Sequence, residues 1–333
     1  MEKETTETTE TAETSCEYVS SRGLLKSCTI HSPAPRSSNG KDVGYLIDFL
    51  KFQNTKWQDI SCVSIYVCSE MIAFFQRSIL PKVRRDFILV SGDSDLCVFC
   101  EALTEGMFVD LVSHPHLKAW HAQNMMLEQC LLALKLHNAP TSVKMKLKQM
   151  PIGMDYHTIS SNPLHHWRLP DEGTTPLSQE TLMKRIALTE LPPFWERSPR
   201  IYSNVHLAFD RFGDRRAAIS EIPDTLLYCA PKFIPRTQTW RNMKDYAFML
   251  CGYGNGFDCH RTWETLCLGG IPIVRGHLFD ELYKDLPVLI VDKWSDITSE
   301  LLASTIETCK QKYLKREYNM EKLTLAYYTQ QWQ

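Results

Sequence analysis

Arg261 and Glu264, three positions apart, carry the most specific chemistry in this 333-residue chain. At that spacing two side chains share one face of a helix. They stand just behind the run Gly252-Tyr253-Gly254-Asn255-Gly256. A glycine loop that opens a helix presents backbone N–H groups at the positive end of the helix dipole, and a guanidinium beside it suits the place to a diphosphate. A carboxylate one turn deeper suits a hydroxylated group such as ribose. Gly254, Asn255, Gly256, Arg261 and Glu264 are therefore expected to bind a nucleotide diphosphate. The loop has neither the lysine of a Walker motif nor GxGxxG spacing. The plain alternative for the pair is an i,i+3 ion pair on a solvated helix face.

Acids elsewhere could move protons. Ser91-Gly92-Asp93-Ser94-Asp95 follows a short apolar run. There Asp93 or Asp95 could deprotonate a hydroxyl, or the two could hold a divalent cation as Asp-x-Asp, or they could simply make Asx turns. Met150-Pro151-Ile152-Gly153-Met154-Asp155-Tyr156-His157 supplies an acid and a histidine two apart. Asp155 is a further base candidate, and His157 is a candidate to border a substrate cleft. Ser21, Arg22 and Gly23 are expected at the carboxyl end of a first strand that begins near Glu17.

Positioning these groups requires strands that end beside them. Residues 247–251 form a buried apolar run, residues 259–268 have helical periodicity with Asp258 as the expected N-cap, and Ile271-Pro272-Ile273-Val274 is the next strand. The unit reads strand, glycine loop, helix, strand, with its ligand groups at the carboxyl end of the first strand. Further strands are expected at 63–67, 87–90, 150–152, 200–209 and 226–230, and helices at 43–57, 70–80 and 179–188. The predicted class is α/β. Residues 1–15, a Thr/Glu repeat, are an expected disordered tail. An N-terminal Rossmann-like domain is predicted over 16–158, a linker over 159–178, a second Rossmann-like domain over 179–305, and a helical tail over 306–333 that could return to the first domain.

Arg261-Thr262-Trp263-Glu264-Thr265-Leu266-Cys267-Leu268-Gly269-Gly270-Ile271-Pro272-Ile273-Val274 closely resembles the Arg-x-x-Glu-Ala-Leu-x-x-Gly-x-Ile-Pro-Val-Ile signature of exostosin-like glycosyltransferases. Leu286-Pro287-Val288 and Trp294-Ser295-Asp296-Ile297 continue the match, and the segment at 151–157 is similar to one where that family's N-terminal domain ends. The loop departs from the family, reading Cys251-Gly252-Tyr253-Gly254 where many relatives carry a Ser-Pro-x-Gly turn. The resemblance implies a GT-B fold, two Rossmann-like domains facing a cleft. It also implies inverting transfer of a sugar from a nucleotide sugar, a UDP-sugar by expectation, to a saccharide or glycan hydroxyl. Arg261 would meet the diphosphate and Glu264 the ribose, with no metal or other cofactor required. Two rivals stand beside it: a non-catalytic glycan-binding protein on the same fold, and a metal-dependent GT-A-like transferase using Asp93 and Asp95.

Bulk properties narrow the partners. A net charge of −2 leaves no basic excess for nucleic acid. Most of the twelve cysteines lie in apolar runs, as small buried hydrophobes do. Cys97-x-x-Cys100 lacks a second ligand pair at zinc spacing, because His114-x-His116 is too tight. With no apolar run of membrane-spanning length and no signal-like segment in the first fifteen residues, the expectation is a soluble, cytoplasmic protein.

Overall fold

A computed structural model describes residues 13–33, 42–230, 234–276 and 279–332. Most of the expected disordered tail, residues 1–12, lies outside the described residues. Glu13–Ser15 forms a 3-10 turn. The chain divides into two compact units. One comprises residues 24–152, 256–258 and 326–333; the other comprises 1–23, 153–255 and 259–325. The division thus falls at 152/153 rather than in the expected linker. Residues 13–23 belong with the second unit, and of the described tail only residues 326–332 belong with the first.

The first unit is built on a four-stranded parallel sheet of order β1-β2-β3-β4. Its strands are β1 (Val63–Cys68), β2 (Phe87–Gly92), β3 (Leu117–Ala122) and β4 (Leu147–Gln149). β1 and β2 are buried throughout, which explains their unbroken apolar character: a parallel strand covered on both faces has no polar side. β3, Leu-Lys-Ala-Trp-His-Ala, alternates less cleanly and was not among the predicted strands. Its Trp120 is buried in the core with Leu89, Phe87 and Phe108. The expected strand at 150–152 does not form; the pairing stops at Gln149, before Pro151.

The second unit holds a five-stranded parallel sheet of order β6-β5-β7-β8-β9. Here β5 is Ser198–Ser203, β6 Leu227–Cys229, β7 Tyr246–Leu250, β8 Ile271–Arg275 and β9 Leu289–Val291. Both sheets are Rossmann-like in being wholly parallel with helical crossovers. β5 is shorter than predicted. It ends at Ser203, and the chain beyond it bends into the Leu207–Phe209 turn rather than continuing to Phe209 as strand. The glycine loop runs from β7 into the His260–Cys267 helix, whose buried face carries Trp263, Leu266 and Cys267. No helix among the described residues is long and apolar enough to cross a membrane.

Candidate functional site

In the five-stranded sheet the chain moves from β5 to β6 on one side and then returns to β7 on the other. The strand order therefore reverses between β5 and β7. The loops leaving their carboxyl ends part in opposite directions, and such a reversal is where open α/β sheets leave a ligand crevice. Two guanidiniums stand there. Arg261 donates from Nε to Asn204 Oδ1 at 2.8 Å, across from the end of β5. Arg215, buried on the Asp214–Glu221 helix that follows β5, donates from Nη1 to the His206 carbonyl at 3.0 Å and from Nε to the Gly252 carbonyl at 3.4 Å.

Glycine is required where Arg215 covers the loop. A Cβ on Gly254 would lie 2.5 Å from Arg215 Nη2. The loop is pinned one residue earlier by Asp214. Its carboxylate accepts the Tyr253 N–H at 2.8 Å, accepts the Trp294 indole N–H at 3.0 Å and pairs with Arg275 at 3.1 Å. Burial raises the Asp214 pKa in spite of these donors. Asp210 in turn accepts the backbone N–H groups of Arg215 and Arg216, both at 3.0 Å, and fixes the start of the helix that carries them.

Glu264 lies one turn beyond Arg261 and accepts the Trp240 indole N–H at 3.2 Å. The Arg236 guanidinium sits over the Trp240 ring, 5.0 Å from its centroid. Burial pushes the Glu264 pKa up, and Arg236, Trp240, His260 and Arg261 oppose that rise. The N-cap of this helix is Cys259 rather than Asp258, and Cys259 makes no side-chain capping bond. Its thiol lies 3.5 Å from the Thr262 hydroxyl, and Cys251, with Arg261 and Arg215, holds it well below the usual thiol range.

Asp155 and His157 form a second cluster in the same unit. His157 Nδ1 is 3.1 Å from Asp155 Oδ1, and Asp155 also accepts the Thr158 N–H at 3.0 Å. Burial alone would raise the pKa of this carboxyl, but His157, His260 and Arg236 together pull it well below the usual range. His260 Nδ1 meets the Gly153 carbonyl at 2.7 Å, and its ring lies 6.3 Å from that of His157. Carboxylate and carbonyl oxygens only accept, so both Nδ1 atoms donate. Gly153 has φ +66, and a Cβ there would lie 2.2 Å from the Val19 carbonyl oxygen.

Not every predicted residue joins this edge. Asn255 is exposed and ends the loop's share of the unit, whereas Gly256 to Asp258 belong to the four-stranded unit. There Asp258 accepts the Ile152 N–H at 2.8 Å and donates its own N–H to Asn124 at 3.0 Å. A Cβ on Gly256 would lie 3.3 Å from Asp95 Cα. Asp93 is buried at the end of β2 with φ 54, its N–H bonded to Gln123 at 2.9 Å, while Asp95 is exposed. Ser21, Arg22 and Gly23 do not end a strand. They are the buried first turn of the Ser21–Lys26 helix, and of the expected strand Tyr18 and Ser20 make isolated bridges. The local cause is Ser20, whose hydroxyl accepts the Gly23 N–H at 3.0 Å and starts the helical turn.

Asn204, His206, Arg236 and Trp240 carried no sequence signal of their own. They come from two separate segments that only the sheet order brings together. Arg215 stands in the first turn of the Asp214–Glu221 helix, with Arg216 beside it. A groove lined by Glu172, Ser178, Thr181, Arg185 and Arg241 lies elsewhere on the unit and holds none of these groups. Among the described residues no group of three or more His, Cys, Asp or Glu side chains is arranged to hold a metal ion. The chain matches no protein-family model and no curated protein.

Proposed function

We propose that this chain is an exostosin-like glycosyltransferase of GT-B architecture that transfers a sugar from a nucleotide sugar, a UDP-sugar, to a saccharide hydroxyl with inversion. The observation that carries the reading is the pair of guanidiniums, Arg215 and Arg261, held where the strand order reverses, with Glu264 one helical turn away. Two fixed cations and the N–H groups of Gly254 and Asn255 suit a leaving diphosphate, on which negative charge grows as the glycosidic bond breaks. Glu264 suits the ribose hydroxyls.

In this scheme the acceptor oxygen attacks the anomeric carbon as the bond to the diphosphate breaks. The acceptor proton passes to a base, and the bonding pair leaves with the diphosphate. Of Asp93, Asp95 and Asp155, the last is favoured, because it shares a unit with the donor groups and meets His157 Nδ1 at 3.1 Å. The scheme calls on no metal ion.

The test is the unfolding midpoint of the purified chain with UDP, GDP and their sugars, with and without chelator, repeated on Arg261→Ala. A ligand at a hundred times its Kd stabilises by about 2.7 kcal/mol. A chelator-insensitive rise that Arg261→Ala abolishes is the expected result. A rise that chelator removes would favour the metal-dependent rival, and no rise with any nucleotide would overturn the transferase reading in favour of glycan binding.

A further inference from the structure

The segment between the two predicted domains carries His165-His166-Trp167, to which the sequence assigns only a linker role. In the structure the Trp167 ring lies 6.4 Å from that of His206, with 30° between their planes. His165 stacks edge-on to Trp167 at 4.8 Å, and Phe209 meets His206 at 6.4 Å. Trp167 and His206 are both partly exposed, so this group of rings presents a face to solvent.

Its position follows from bonds already described. The His206 carbonyl accepts from Arg215, and Asn204, two residues earlier, holds Arg261. The Trp167 carbonyl accepts the Arg236 N–H at 2.8 Å, and Arg236 covers Trp240, whose indole N–H meets Glu264. The rings are therefore tied at one end to the guanidiniums and at the other to the carboxylate. Burial, with Arg261 and Arg215 beside it, lowers the His206 pKa and favours its neutral form. An uncharged aromatic face next to a diphosphate and ribose site fits a flat heterocycle.

We propose that Trp167 and His206 form the shelf on which the base of a bound nucleotide stacks. The inference rests on the nucleotide reading above and adds to it the group that recognises the base. Stacking accepts any base, since each has a π face, so the shelf contributes affinity more than choice between bases.

Titration calorimetry of the full chain with inorganic pyrophosphate, UDP, GDP and UDP-glucose tests it on wild type, Trp167→Ala and Trp167→Phe. The expected result is that Trp167→Ala weakens UDP and GDP about tenfold or more, leaves pyrophosphate unchanged, and is largely rescued by Trp167→Phe. Unchanged UDP affinity in Trp167→Ala would overturn the shelf and leave the diphosphate site standing. A loss confined to UDP-glucose would overturn it by placing the ring under the sugar. Equal loss of pyrophosphate would overturn it by making Trp167 a structural support. If wild type binds neither pyrophosphate nor nucleotide, the nucleotide reading fails and the shelf with it.

Discussion

Glu264 is a carboxylate whose burial makes its charge costly to stability at neutral pH. Its carboxyl is more basic in the folded chain than in the unfolded one, because burial outweighs the cations around it. A raised acid pKa means that the folded state binds the proton more tightly, so this residue's contribution is most favourable below the unfolded value. It is lost as pH rises through the folded value. Glu264→Gln keeps an acceptor for the Trp240 indole and removes the buried charge. The variant should therefore be more stable than wild type at neutral pH, by about 1 kcal/mol, and show no gain near pH 4. Denaturant midpoints at the two pH values check this; a loss of stability at pH 7 would contradict it. The same variant should lose nucleotide binding, since a neutral amide is a weaker acceptor for ribose hydroxyls than a carboxylate.

At the scale of elements, the glycine loop and the helix after β5 act as one piece. Asp214 holds the Tyr253 N–H while Arg215 closes over Gly254, so the loop's shape depends on a helix that starts more than thirty residues earlier in the chain. Gly254→Ala tests that dependence. The added methyl must displace the buried Arg215 guanidinium and press on the Phe209 carbonyl at 3.3 Å, so the unfolding midpoint should fall modestly while the fold survives. Nucleotide affinity should fall about tenfold or more, the scale of one lost charge-assisted hydrogen bond. Calorimetry with UDP against an unfolding curve separates the two effects. An unchanged affinity would mean that Arg215 does not serve the ligand.

At the scale of the whole molecule, the two sheets differ in one topological respect. The order β1-β2-β3-β4 never reverses, whereas β6-β5-β7-β8-β9 reverses once, between β5 and β7. On the proposed reading a donor nucleotide belongs to the five-stranded unit. Hydrogen exchange with and without UDP should show protection concentrated at 204–216 and 251–264, with less at 93–95 and 122–125. The opposite ranking would move the donor site to the four-stranded unit and revive an Asp93/Asp95 site.

The sequence alone determined the strands at β1, β2, β6, β7 and β8 and the helix at His260–Cys267, because buried parallel strands and a one-faced helix write their periodicity locally. It also marked Arg261 and Glu264 by their spacing behind glycines. It misplaced Ser21 to Gly23, since one hydroxyl bond from Ser20 decides between turn and helix. It assigned no role to Asn204, His206, Trp167 or Trp240, and it could not set Gly256 apart from its neighbours. Those depend on which strand lies beside which, and strand order is fixed by contacts between segments far apart in the chain. Only the folded sheet, by reversing between β5 and β7, brings Arg215 to Arg261 and the rings of Trp167 and His206 to the same edge.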